Sequence, residues 1–182
     1  DRFMASPRYG EHWARHWMDV ARYADNKGYV FFEQPEFPWA FTYRDYVIRA
    51  LNQDRPYDRF VMEQLAADKL DDLESPADMA ALGFITVGGH FVNNTHDIID
   101  DRIDVVTRGL MGLTVTCARC HDHKYDPISQ ADYYALYGIF QSCSEPIIPP
   151  PLDPATAAEL TDYNSTLNDR HQLLIDFVSV SY

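Results

Sequence analysis

The chain has few cysteines and a marked shortage of positive charge. Its 182 residues include three cysteines, 15 Lys and Arg against 28 Asp and Glu, and a formal net charge of −13. Three thiols are too few for the disulfide framework that small secreted folds rely on. An acidic balance, with pI near 4.7, excludes the basic face that grips nucleic-acid phosphates. It fits plain solubility, or docking on a basic partner. No run of eighteen apolar residues occurs, so no segment reads as a membrane-spanning helix. No stretch shows the strict apolar–polar alternation of a half-buried strand. No leader pattern is visible, and the opening Asp1-Arg2-Phe3-Met4 reads as the middle of a helix. The sequence is therefore expected to be a segment of a longer protein.

What is present is a large core and helical periodicity. Hydrophobic residues make up 46% of the chain, with Tyr 12, Phe 10 and Trp 3. Ser6-Pro7 reads as a helix start, followed by Trp13, Trp17 and Val20 at i, i+4, i+7, with a stop before Asn26-Lys27-Gly28. Residues 29–41, with Pro35 and Pro38, read as a loop. Helices are predicted over 43–51 and 57–68 and from Ser75-Pro76 to Leu82. Gly83, Gly88 and Gly89 are expected to break the chain after Leu82, and 90–96 reads as a loop. The clearest helix carries Ile99, Ile103, Val106, Leu110 and Leu113 on one stripe, with Asp100, Asp101, Asp104 and Arg108 mostly away from it. Ser129 and Asp132 predict a capping box opening a helix to about Ser142. Pro146 and Pro149-Pro150-Pro151 predict a stiff linker over 146–153, ahead of a last helix within 154–182. The expected fold is all-α: six or seven helices in a domain over 1–145, and a C-terminal helical appendage that packs on a neighbouring segment or subunit.

The most informative run is Cys117-Ala118-Arg119-Cys120-His121. C-x-x-C-H is the attachment signature of a c-type haem: two thiols form thioethers to one porphyrin edge and the next residue brings an imidazole to the iron. Three other uses of the pair compete. Cys117 and Cys120 suit a disulfide or a redox dithiol, though the βαβ context of the latter is absent. Cys117, Cys120, His121 and His123 also read as a zinc set, with Cys143 too distant in sequence for a regular site.

On the haem reading, one haem c per chain is bound, the residue pattern has a cytochrome-like helical domain packed around it, and the motif argues for export from the bacterial cytoplasm. His121 is the proximal ligand, and its second ring nitrogen needs a partner. His90, His96, His123 and Met111 are the candidates for the opposite face. His96 is favoured, because His123 and Met111 stand too close in sequence to the motif. Arg119 is expected to pair with a haem propionate, or else with Asp122 or Asp126; Lys124 has the same two readings. An open distal face lined by His90, His96 or Asn94 would instead suit a peroxidase-like or oxidative enzyme. His12 and His16, one turn apart, read as surface or packing residues. Asp97, Asp100, Asp101 and Asp104 lack the D-x-D-x-D-G order of a calcium loop and read as a solvated helix face.

Several runs resemble a known family. They include Ser6-Pro7-Arg8-Tyr9-Gly10-Glu11, Arg15-His16-Trp17-Met18-Asp19-Val20-Ala21-Arg22-Tyr23, Tyr43-Arg44-Asp45-Tyr46-Val47-Ile48-Arg49-Ala50, Asp58-Arg59-Phe60 and Glu63-Gln64-Leu65-Ala66. Asp100-Asp101-Arg102-Ile103-Asp104, and Gly112-Leu113-Thr114-Val115 leading through the motif to Asp122-His123-Lys124, complete the set. Over about residues 1–145 the chain resembles the planctomycete cytochrome-c-like domain of unknown function, found in large exported proteins. The resemblance implies an extracytoplasmic bacterial protein and haem rather than zinc, with Cys117, Cys120 and His121 as the attachment residues. A redox protein or neighbouring domains of a longer polypeptide are the implied partners. The acidic pair Asp100-Asp101 and the Asp122-His123-Lys124 run belong to the family pattern and leave room for a catalytic or second-metal role.

Overall fold

Apolar residues at helical spacing form the buried helix faces, except near the start of the chain, where Trp13 and Val20 stay exposed and Gly10 and Ala14 are buried instead. The computed structural model describes residues 2–26, 37–89, 91–145 and 154–180. Among them are seven α-helices and no strand: α1 (Arg8–Val20), α2 (Ala40–Asn52), α3 (Tyr57–Ala66), α4 (Gly83–Thr86), α5 (Thr95–Met111), α6 (Gln130–Gln141) and α7 (Pro154–Val180). Short 3-10 turns lie at Ala67–Lys69, Pro76–Leu82, Phe91–Asn93 and Val115–Arg119. The chain divides into two units, Asp1–Pro150 and Pro151–Tyr182. The predicted linker over 146–153 falls outside the described residues.

The first unit holds two apolar clusters. One gathers Ala14 and Ala21 beside α1's buried face, Tyr43, Tyr46, Val47 and Ala50 of α2, Phe60 of α3, Phe84 of α4 and Val105 of α5. The other gathers Ile99 and Ile103 of α5, Val115 and Ala118 of the 3-10 turn, and Tyr133 of α6. Each large side chain among them contributes about 1.5–3 kcal/mol on burial. Helix α5 serves both clusters, so the second, which carries the cysteine motif, is built on an element that the first already anchors. In the second unit, α7 leaves Tyr163, Leu167, Leu173 and Ile175 exposed.

Three expectations are corrected. Helix α2 starts at Ala40, inside the segment read as a loop, because Pro38 sits just ahead of a helix start rather than breaking one. Gly83 does not break the chain but opens α4. A Cβ there would lie 2.5 Å from the Tyr43 ring, so glycine permits the close approach of the two helices. The segment 90–96 is not all loop: Phe91–Asn93 form a 3-10 turn and α5 starts at Thr95. The Asn94 side chain accepts from the His96 N–H at 3.1 Å and caps α5, which places His96 in its first turn. His90 lies outside the described residues. The Ser129–Asp132 capping box forms as predicted.

Beneath α2 and α3 lies a buried ionic network. Glu63 and Asp78 are both fully buried. Glu63 accepts from Tyr46 Oη at 2.8 Å, Arg55 Nη1 at 2.5 Å and Arg59 Nε at 2.8 Å. Arg55 Nη1 also reaches Asp78 Oδ2 at 3.2 Å, and Arg49 Nη2 reaches Asp78 Oδ1 at 2.5 Å. Beside it, Trp17 Nε1 and Tyr43 Oη both donate to Gln64 Oε1, at 2.8 and 2.7 Å. Burial would raise the Asp78 carboxyl, but the bonded guanidinium groups of Arg49 and Arg55 outweigh it and hold it below the usual carboxylate range.

Removing one member strands a buried charge. Arg55→Met is therefore expected to lower stability by about 3–5 kcal/mol in urea unfolding; a change below about 1 kcal/mol would sink this assignment. Because the Asp78 carboxyl is depressed, its contribution is complete above its unfolded value near 3.9 and fades as pH falls through the lower folded value. In the parent chain, stability measured across pH 5 to 2 is expected to fall in that window.

Candidate functional site

The cysteine motif sits on the 3-10 turn Val115–Arg119 and its cap, Cys120. In a 3-10 helix, side chains three apart eclipse one another. Val115 and Ala118 thus share one face, and both are buried in the second cluster. Cys117 and Cys120 share another, and both are exposed as free thiols. The apolar character of only two residues decides which way the cysteines point. Cys143, also free and exposed, hydrogen-bonds to the Ile139 carbonyl from the end of α6.

Arg119 ties the turn to α5. It pairs with neither Asp122 nor Asp126. Its Nη1 bonds Asp97 Oδ1 at 2.9 Å and stands 3.6 Å from Asp100 Oδ2. The bond to Asp97 holds this guanidinium above its ordinary value. Tyr133 Oη donates to Asp100 Oδ1 at 2.6 Å; burial first, then this carboxylate, raises the phenol. The Arg119 carbonyl accepts from Gln130 Nε2 and Tyr134 Oη, both at 3.2 Å. The turn is therefore held on one side by α5 carboxylates and on the other by α6. The acidic residues form no calcium loop: Asp97 and Asp100 meet Arg119, Asp101 meets Arg22, and Asp104 meets Arg108.

The histidines sort by tautomer, each inferred from its partners. His121 Nδ1 lies 2.8 Å from the Asp122 carbonyl, which can only accept, so Nδ1 carries the proton and Nε2 keeps a free lone pair. His96 Nδ1 lies 2.5 Å from Tyr137 Oη. That hydroxyl donates its one proton to Gln141 Oε1 at 2.9 Å, so it accepts from His96, and Nε2 is again bare. The His96 and Tyr137 rings also stack, with centroids 5.9 Å apart. His123 is the opposite case. Its Nδ1 accepts backbone N–H groups from Asp126 at 2.9 Å and Tyr125 at 3.3 Å, so its proton is on Nε2 and no lone pair is left. It clamps the turn after the motif. Asp122 Oδ1 accepts from the Gln130 N–H at the start of α6, and Lys124 Nζ lies 5.0 Å from the Tyr125 ring centre. Asp122 and His123 thus hold the turn after the motif, one to the start of α6 and the other to its own backbone.

Met111, half exposed, ends α5 fifteen residues beyond His96, about 22 Å along the axis at 1.5 Å per residue. His96 and Met111 therefore stand at opposite ends of α5, and Arg119 bonds Asp97 at the His96 end. His12 and His16 stay on the exposed side of α1, their rings in edge contact at 5.7 Å. Among the described residues, no three His, Cys, Asp or Glu side chains cluster as a metal-binding group. Sequence reasoning missed Tyr137 as the partner of His96. The available signal was the Tyr133, Tyr137, Phe140 stripe, which reads as core alone.

Tyr137→Phe removes the acceptor that holds the His96 proton. Imidazole ¹⁵N shifts of the haem-free chain are expected to show Nδ1–H in the parent and a move towards Nε2–H in the variant. An unchanged tautomer would remove Tyr137 from this role.

No curated protein and no solved structure matches the chain. A family model described as PSCyt2, protein of unknown function (DUF1549), matches residues 1–145, and the chain belongs to that family.

Proposed function

We propose that the 1–145 domain is a c-type cytochrome, with one haem held covalently by Cys117 and Cys120. His121 is its proximal ligand and His96 its opposite ligand, and the domain transfers electrons outside the bacterial cytoplasm. The observation that carries this reading is the state of the donor set. Two free thiols share one exposed face of a turn whose other face is buried, and the following histidine has its Nδ1 proton fixed on a backbone carbonyl. Such a carbonyl bond is the usual way a ligating imidazole is oriented and its basicity raised. The residues present fit the group.

Haem held in this way supplies a one-electron couple, tuned by axial ligand, burial and hydrogen bonds. The chain's own residues do the rest. Arg119, about a third exposed (35%), keeps part of its fork available to a propionate while its Asp97 bond fixes its position. Tyr137 holds the His96 proton on Nδ1, so that Nε2 faces a ligand as a base. A second imidazole favours a sealed carrier over an enzyme with an open distal position, because both axial sites are then filled. Exposure of the cysteine face leaves one edge accessible to a redox protein or to neighbouring domains of a longer chain.

The test is a pyridine haemochrome spectrum of denatured protein made in a host that matures c-type cytochromes. A covalent c-type band is expected, lost in Cys117→Ala with Cys120→Ala. Its absence from the parent overturns the reading. In the native protein, His96→Ala is expected to turn a low-spin spectrum high-spin and to open the iron to cyanide; a spectrum unaltered by the change removes His96 as a ligand.

A further inference from the structure

A cleft of about 430 Å³ opens beside α1 and α2, lined by Arg15, Met18, Asp19, Arg22, Tyr23 and Arg44. It shares no residue with the cysteine motif. Among the described residues, three arginines and one aspartate line it, in a chain whose formal charge is −13. Most arginines of this unit meet carboxylates, Arg22 and Arg44 among them. Arg15 makes no ion pair with any described residue, although Asp19 lies one turn along the same helix, at a spacing that permits one. Among the described residues Arg44 reaches only its neighbour Asp45, at 3.3 Å and in solvent, a contact worth about 0–1 kcal/mol.

Arg22 is held from behind. Its Nη1 bonds the Asp101 carboxylate and, at 3.1 Å, the Asp101 carbonyl. Gly88 passes against this pair so closely that a Cβ would fall 2.5 Å from Asp101 Oδ2 and 2.7 Å from Arg22 Nη1. The arrangement is under strain. Arg22 adopts left-handed backbone, φ 56°, which costs a non-glycine residue about 1 kcal/mol or more. Its Nε and Nη2 are buried without hydrogen-bond partners. Burial pulls its guanidinium down to about 10, with Asp104 opposing the fall and Arg102 adding to it. The group is still a cation at neutral pH, but an incompletely compensated one.

We propose that this cleft binds a small organic anion, a carboxylate or a phosphate ester, with Arg15 and Arg44 gripping its oxygens and Arg22 fixing the positive field behind them. Guanidinium forks match carboxylate and phosphate oxygens in pairs. Met18 and Tyr23 give a carbon body something to pack on. Asp19 favours a ligand that also carries a hydroxyl or ammonium donor. The volume lies at the lower end of the range of small-molecule sites, roughly 300–1,000 Å³.

The test is calorimetric titration of the full chain with citrate and with phenyl phosphate at low ionic strength. Saturable binding of at least one is expected, weakened about tenfold or more (~1.4 kcal/mol) by Arg15→Gln and by Arg44→Gln. Which probe binds separates the carboxylate from the phosphate source. Arg8→Gln, an exposed charge on α1 outside the cleft, is the control and is expected to leave affinity unchanged. Circular dichroism of each variant is expected to match the parent, since Arg15 and Arg44 sit at the surface. Absence of saturable binding by either probe overturns the proposal, as does equal weakening by all three substitutions.

Discussion

The pairing of the α5 carboxylates with arginines brought from elsewhere holds the cysteine turn and Arg22 in place. Asp97 and Asp100 take Arg119 from the cysteine turn, and Asp101 takes Arg22 from the end of α1. Successive helix positions diverge by about 100°, so adjacent aspartates serve different neighbours. Asp100 faces Tyr133 and the motif, whereas Asp101 faces the arginine cleft. The apolar face of the same helix is shared between the two core clusters. One helix therefore sets the position of both sites. Without those carboxylates, Arg22 and Arg119 would be partly buried cations with nothing opposite.

The Glu63–Arg55–Asp78 network does different work. Its members are sealed from solvent and hydrogen-bonded to one another, and no cleft residue or motif residue takes part. Burying such a set brings little net stability over a well-packed apolar core, because desolvation consumes most of the attraction. What it contributes is selectivity of packing. Arg55 satisfies Glu63 of α3 and Asp78 of the following 3-10 turn only when both stand where they do, and Arg49 of α2 closes the set. Register among these elements is then fixed by directional bonds, where apolar contacts alone would tolerate slippage.

Much of this was legible in the sequence, for reasons that differ residue by residue. The all-helical class followed from periodicity, and the α6 start from Ser129 and Asp132, because both signals act within one or two turns. The outward direction of Cys117 and Cys120 was implicit in Val115 and Ala118, two small apolar residues at the same spacing. His96 was misread because its helix is started by Asn94, a cap that also reads as loop. Gly83 was misread because its role is set by Tyr43, forty residues earlier. The partner of Arg119 and the members of the buried network were not legible, since long-range pairing among many acids and arginines has no local signature. The tautomers of His96, His121 and His123 depend on Tyr137, a carbonyl and two backbone N–H groups, and all three bear on the proposed site.

The distribution of arginine along the fold argues that the two sites are distinct in kind. From α1 through α6, the arginines at positions 8, 22, 44, 49, 55, 59, 102, 108 and 119 each meet a carboxylate, and among the described residues Arg15 meets none. An acidic chain has carboxylates to spare, so an unpaired arginine is not explained by scarcity of partners. Arg15 and the loosely held Arg44 face one cleft together with the strained Arg22, so three guanidinium groups gather at one place in a chain of net negative charge. At the cysteine motif the reverse holds: Arg119 is neutralised, and the exposed groups are thiols and an imidazole lone pair. Under the two proposals, one surface takes covalent attachment and metal ligation, the other an anion.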